Sequence, residues 1–139
     1  MSSSPKHILS AGFGRFAQGD PNATTRFGPD AGATVKQMLQ ESISKAKAAG
    51  FEVVPCDMNP RDPEDSLARF VTELQNDEGR EWVAVNVGFG VRGHKENTIL
   101  FERLLNEAWR IRPGLKFMFS NGPDDLIEAV RRTFPESFQ

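Results

Sequence analysis

The sequence has few of the residues that build disulfides and zinc sites. Of its 139 residues one is a cysteine, Cys56, and two are histidines, His7 and His94, which lie far apart along the chain. A single cysteine excludes an intrachain disulfide, and nothing in the sequence indicates a secreted protein. Because structural zinc takes four cysteine or histidine ligands, we expect no metal site.

Long apolar runs and clusters of one charge are also missing. No stretch approaches the ~20 apolar residues that a membrane helix needs, and residues 1–5 lack the apolar core of a signal peptide. We expect these residues to form a disordered tail. Seventeen basic and nineteen acidic residues give a net charge of −2, without a basic cluster. We therefore expect a soluble, cytoplasmic protein with neither nucleic acid nor a membrane as its partner.

Strand-like and helix-like segments alternate four times along the chain. Short apolar runs predict strands over 6–11, 51–55, 82–87 and 115–120, and helical spacing predicts helices over 30–49, 62–75, 95–112 and 123–134. This alternation predicts one α/β domain over 6–139, a three-layer α/β/α architecture with a four-stranded parallel sheet. We expect the flavodoxin-like/Rossmann-like strand order 2-1-3-4, with a five-stranded sheet as the alternative. No particular family is indicated, and architecture alone does not define function.

The segment from Phe13 to Pro29 interrupts this alternation. It contains Gly14, Gly19, Pro21 and Gly28, and such a density of helix and strand breakers predicts a long irregular loop. Loops of this length are uncommon unless they are functional or disordered. Two interpretations stay open: a packed Ω-like loop whose phenylalanines join the core, or a lid over the strand ends.

The chain is organised around residues 82–94, where an apolar strand runs into three glycines, an arginine and a histidine. In an open α/β sheet, ligands bind outside the carboxyl ends of the strands. The segment 88–93 has the form G-x-G-x-x-G, which lets backbone N–H groups approach an anion. However, the dinucleotide fingerprint follows a first strand and has an acidic residue about 20 positions later. This segment follows the third strand, so we predict no dinucleotide and no other cofactor.

Polar and glycine residues follow each of the four predicted strands, and parallel strands would bring them to one edge. The predicted ligand-binding residues are Gly12, Gly14, Arg15, Asn86, Gly88, Gly90, Arg92, Gly93, Ser120 and Asn121. Turns between strands and helices are rich in glycine, asparagine and serine for conformational reasons alone, which is the alternative explanation for much of this set.

His94 is the predicted general acid or base, since histidine readily exchanges a proton near neutral pH. Asp57, after the second strand, is predicted to orient it or to act as a second acid–base group. The alternative role of His94 is to pack or cap at a helix start. Cys56 is followed by Arg61, but four residues separate them where cysteine phosphatases have five. We therefore predict an inert, buried cysteine.

Three functions are compatible with these features. The first is a small enzyme, of hydrolase or lyase type, that acts on an anionic or oxygen-rich small molecule. The second is a non-catalytic module that binds a phosphate or carboxylate ligand. The third is an interaction protein, most simply a homodimer, with the helices that carry Trp109 and Phe134 as its surfaces. The third function predicts that no enclosed pocket exists at the strand ends.

Overall fold

The computed structural model describes residues 5–139, so the predicted tail lies, apart from Pro5, outside the described residues. The strands are β1 (Lys6–Gly12), β2 (Phe51–Asp57), β3 (Glu81–Val87) and β4 (Lys116–Met118). The α-helices are α1 (Pro21–Phe27), α2 (Ala31–Ala48), α3 (Pro63–Gln75), α4 (Phe89–Arg92), α5 (Thr98–Ile111) and α6 (Leu126–Thr133). Short 3₁₀ segments lie at Gly14–Gly19, Lys95–Asn97 and Pro135–Phe138. None of the helices in this part of the chain combines the length and apolarity needed to cross a membrane.

All strand pairs are parallel, and the order β2-β1-β3-β4 confirms the predicted flavodoxin-like arrangement. Ile8 in β1 pairs with Val53 on one side and Ala84 on the other, so β1 and β3 are the central strands. Pro55 lies within β2 rather than at its end. Proline has no backbone N–H to donate. It is tolerated within β2 because β2 is an edge strand, with a neighbouring strand on one side only.

The prediction of an irregular loop over 13–29 is wrong, because a 3₁₀ segment and α1 occupy most of it. The glycines and prolines delimit these helices instead of preventing them. Pro21 takes the first helical position, where no N–H is needed. The Asp20 carboxylate caps the helix by accepting from the Ala23 N–H at 3.0 Å. Gly28, at φ 89°, ends it in a conformation that favours glycine.

The predicted helices that flank β4 differ in detail from the observed ones. Helix α5 starts at Thr98, later than predicted, and α6 starts at Leu126. Ile99 and Trp109 are 73% and 62% exposed. The buried stripe of α5 is Leu100, Leu104 and Ala108, one turn apart each, and neither exposed residue falls on it. Phe134, in contrast, is buried.

The two faces of the sheet are covered by different helices. The face under α3 and α5, here the closed face, is apolar along its whole length, with Leu9 and Ala11 in β1 and Val85 and Val87 in β3. The face under α2 and α6, here the open face, begins equally apolar with Ile8, Ala84 and Met118. Two residues after each of these it becomes polar, with Ser10 in β1, Asn86 in β3 and Ser120 just beyond the end of β4. The open face thus changes character halfway towards the carboxyl ends.

Candidate functional site

A cavity of about 350 Å³ lies at the polar half of the open face. Helix α2 forms its far wall and α1 covers it. The apolar part of the lining comes from α2, β2, α6 and the region around α1: Val35, Leu39, Ile43, Val53, Leu126, Phe13 and Phe27. Its volume is within the range of small-molecule sites, which are typically apolar with a few polar groups.

Near its C-terminal end, helix α2 packs on the sheet through Ala46, which is fully buried. Its N-terminal end is held by the 3₁₀ segment before α1, because the Gly32 N–H donates to Gln18 Oε1 at 2.9 Å. A side chain at Gly32 would lie 3.2 Å from the Arg15 carbonyl oxygen, so the contact between segment and helix is close. Between these two attachment points, Val35, Leu39 and Ile43 line the cavity.

Three polar side chains, from β1, β3 and the segment directly after β4, form the floor of the cavity. Asn86 is 2% exposed, and its Nδ2 donates to Ser10 Oγ at 3.1 Å and Ser120 Oγ at 3.2 Å. Its Oδ1 accepts from the Ser120 backbone N–H at 3.1 Å. That N–H can only donate, so it defines which end of the amide is oxygen and which is nitrogen.

This orientation leaves both serine hydroxyls with a proton to donate. Each hydroxyl already accepts from Asn86, and a hydroxyl carries one donor hydrogen besides its acceptor lone pairs. Within residues 5–139, neither Ser10 Oγ nor Ser120 Oγ donates a hydrogen bond to the protein. Both side chains line the cavity. A buried donor without an acceptor is costly, so the floor is suited to a bound group that supplies acceptors.

A cationic side chain and a histidine lie at the rim of the cavity. Arg26, on α1, packs over the Phe27 ring and donates from Nη1 to the Asn121 carbonyl at 3.2 Å. His94 lies edge-on to Phe89, with the ring centroids 5.7 Å apart. Both residues line the cavity. They could therefore meet a ligand that extends from the floor to the rim.

Asp57 also lines the cavity, but it is engaged by the turn after β1. Its Oδ2 accepts from the Arg15 N–H at 3.4 Å, and the Arg15 Nε lies 4.0 Å away. Gly14, at φ 52°, lets the carboxylate approach so closely that a Cβ there would lie 2.1 Å from Asp57 Oδ1. Among the described residues no hydrogen bond joins Asp57 to His94. The predicted pairing of these two residues is therefore not formed.

Arg92, the predicted anion-binding arginine, does not line the cavity. Its guanidinium lies over the Phe89 ring and near the Phe119 ring, at 5.2 and 5.7 Å from their centroids. Its Nη2 donates to Asn121 Oδ1 at 2.8 Å. Arg92 and Asn121 thus brace the ends of β3 and β4 against each other.

The glycines of segment 88–93 make room for aromatic rings. A Cβ at Gly90 would lie 3.0 Å from the Phe13 ring, and one at Gly93 would lie 2.6 Å from the Phe89 ring. Close ring packing therefore explains the glycine spacing without any ligand.

The cavity brings together eight of the twelve predicted site residues. They are Gly12, Gly14, Asp57, Asn86, Gly88, Gly90, His94 and Ser120, while Arg15, Arg92, Gly93 and Asn121 lie outside its lining. Ser10, Arg26 and the apolar stripe of α2 were not predicted. The sequence signal for Ser10 was present, since it interrupts an apolar strand as Asn86 does. The interaction-protein hypothesis predicted no enclosed pocket at the strand ends, where this cavity lies.

Cys56 is buried on the closed face beside a wide surface hollow of about 570 Å³ that Arg69 and Glu73 also line. Burial raises the pKa of its thiol to about 11. The thiol thus stays protonated near neutral pH, and a protonated thiol is a poor nucleophile. No group of three or more potential metal ligands occurs among residues 5–139.

Fold and site together define a single α/β domain of flavodoxin-like strand order with a cavity beside its carboxyl edge. No protein-family model, curated protein or solved structure gives a significant match to the chain.

Proposed function

We propose that this protein binds an oxygen-bearing small organic molecule in the cavity on the open face. The observation that carries the proposal is the cavity itself, which combines an apolar wall with a floor of buried hydroxyl donors. An empty space beside a well-packed core costs stability, and polar groups on a core-facing sheet surface cost more unless they are paired. Both costs are offset when a ligand of matching chemistry is bound.

Binding without catalysis fits the geometry best. His94 is the only imidazole in the lining, and within residues 5–139 no hydrogen bond orients its ring. Catalytic histidines are commonly held by a second group that sets tautomer and direction. Asp57, the expected partner, is engaged with Arg15 and the Gly14 turn.

The test is to fill the cavity and measure binding of a defined probe. 8-Anilinonaphthalene-1-sulfonate has an apolar body and an oxygen-rich anionic group, and its fluorescence rises when it is bound. We expect the native protein to bind it and Leu39→Trp, on the cavity side of α2, to lose most of that binding. Gln40→Trp, on the exposed side of the same helix, is the matched control and should bind normally.

A second filling variant, Ala23→Trp on α1, addresses the cavity from the opposite wall. Thermal unfolding of each variant shows whether it is folded. Equal dye binding by the native protein and both folded filling variants would refute the proposal.

Catalysis is the second candidate function, and the position of His94 on the cavity lining favours it. A hydrolase would show its activity on an activated ester such as p-nitrophenyl hexanoate. We expect His94→Gln to lower kcat/KM at least tenfold without lowering the unfolding temperature, since general acid–base catalysis contributes about 10²–10⁴-fold. Turnover that equals the buffer rate, or that is unchanged in the variant, rules this activity out.

A further inference from the structure

The ligand class follows from the floor of the cavity, provided that the cavity is a binding site as proposed above. Ser10 and Ser120 both receive a hydrogen bond from the same nitrogen, Asn86 Nδ2. We propose that the ligand is a monocarboxylic acid with an apolar chain, whose two carboxylate oxygens each accept from one of these hydroxyls.

The spacing of the hydroxyls favours a group with two oxygens. The two N–H bonds of an amide diverge by about 120°, so oxygens 3.1 and 3.2 Å from Nδ2 lie about 5.5 Å apart. A single oxygen that accepted from both would be pressed within about 2.6 Å of Nδ2, which has no hydrogen left for it. Carboxylate oxygens, about 2.2 Å apart, can each accept from one hydroxyl and stay clear of Nδ2.

The charges around the cavity favour one negative charge over two. Arg26 is the arginine of the lining, and its guanidinium lies against Gly122, where a Cβ would be 2.8 Å from Nη2. The guanidinium thus lies next to Gly122, two residues after Ser120, and supplies the positive charge of the lining. Two acidic residues, Asp20 and Asp57, also line the cavity. A phosphate monoester, at about −1.5 to −2 near neutral pH, would meet more repulsion than a carboxylate.

The apolar chain has a complementary wall opposite the floor. Val35, Leu39 and Ile43 recur every four residues along α2, so they form one continuous stripe along the cavity. Leu126 on α6 and Val53 on β2 close the deeper end. A straight alkyl chain along this stripe would replace water against apolar side chains, which strengthens binding about four-fold for each methylene buried.

Calorimetric titration with matched ligands tests this proposal. The probes are butanoate, hexanoate and octanoate, with hexanol as the neutral control and hexyl phosphate as the doubly charged one. We expect affinity to rise with chain length until the cavity is full, and hexanoate to bind at least tenfold tighter than both controls. Tighter binding of hexyl phosphate overturns the carboxylate assignment.

The serine variants identify the atoms responsible. Ser10→Ala and Ser120→Ala should each weaken hexanoate binding about 10- to 100-fold, as expected for hydrogen bonds to a charged group. Hexanol affinity should change less than threefold. Ser66→Ala removes an equally buried hydroxyl that is bonded to the Asn59 and Asp62 carbonyls away from the cavity, and it should leave both affinities unchanged.

The possible failures are distinguishable. If acids and alcohols bind equally in the native protein and the serine variants, the carboxylate inference is wrong while the cavity remains a binding site. If no acid, alcohol or dye binds, both this inference and the proposed function are wrong.

Discussion

The two faces of the sheet are built from the same strands but differ in polarity near the carboxyl ends. On the closed face, apolar residues continue to the carboxyl ends, and α3 and α5 cover them completely. On the open face, the apolar layer of Ile8, Ala84 and Met118 gives way to Ser10, Asn86 and Ser120, and α2 leaves a cavity above them. The closed face is therefore a hydrophobic core, whereas half of the open face has the composition of a binding site.

The largest expected difference between the faces concerns the truncation of leucines. Leu104 on α5 is fully buried on the closed face, and Leu104→Ala should lower the free energy of unfolding by about 3–4 kcal/mol. Leu39 on α2 borders a cavity that already exists, so Leu39→Ala should lower it by only about 1 kcal/mol. Urea denaturation of both variants measures the difference. Equal losses would mean that α2 packs on the sheet as tightly as α5.

Substitutions in the polar floor should lower the free energy of unfolding substantially, although the floor lies beside a cavity. Asn86→Ala leaves the Ser120 N–H and two serine hydroxyls without their partner, which should cost about 2–3 kcal/mol of unfolding free energy. Asn106→Ala, on the exposed side of α5, should change it by less than about 0.5 kcal/mol. A loss below about 1 kcal/mol for Asn86→Ala would show that water readily replaces the amide.

The exclusion of water from the closed face should appear in the pH dependence of stability, through the buried thiol of Cys56. Its thiol has a pKa of about 11 in the folded protein, raised by burial from an ordinary value of 9.0. Between these values the unfolded chain loses the thiol proton while the folded chain keeps it, so stability is complete below pH 9 and falls as the pH rises towards 11. From pH 8 to 10.5 the native protein should lose about 2 kcal/mol more than Cys56→Ala. Parallel curves for the two proteins would place the thiol in water.

The smallest expected effect on stability belongs to the contacts that hold α1 over the cavity. Arg26 donates to the Asn121 carbonyl, and Asn22 Nδ2 donates to Glu96 Oε1 at 3.1 Å, both near solvent. Replacing both residues with alanine should change the unfolding free energy by less than about 1 kcal/mol. Amide hydrogen exchange should nevertheless become faster in α1 and stay unchanged in α3. Unchanged exchange in α1 would mean that other contacts hold it in place.

The sheet and its strand order could be predicted because each strand is a separate apolar run that a helix follows. The segment over 13–29 could not, because Asp20 and Pro21 are compatible with a loop as well as with a helix start, and only the hydrogen bond from the Ala23 N–H to the Asp20 carboxylate distinguishes the two. For the site, the position of Asn86 and Ser120 at the ends of predicted strands was enough to predict both as site residues. The side chains of Arg92 and Arg15 turn to nearby aromatic and acidic partners, and sequence position alone does not define such directions.

Nuclear magnetic resonance of methyl groups during titration with hexanoate tests the contrast between the faces most directly. Leu39, Ile43 and Val53 line the cavity, whereas Leu9, Leu74 and Leu104 pack on the closed face. We predict that the methyl signals of the first group shift saturably and that those of the second group stay in place. Equal shifts in both groups or shifts confined to the closed face would contradict the assignment of the open face as a binding site, and no shifts at all would contradict the proposed carboxylate ligand.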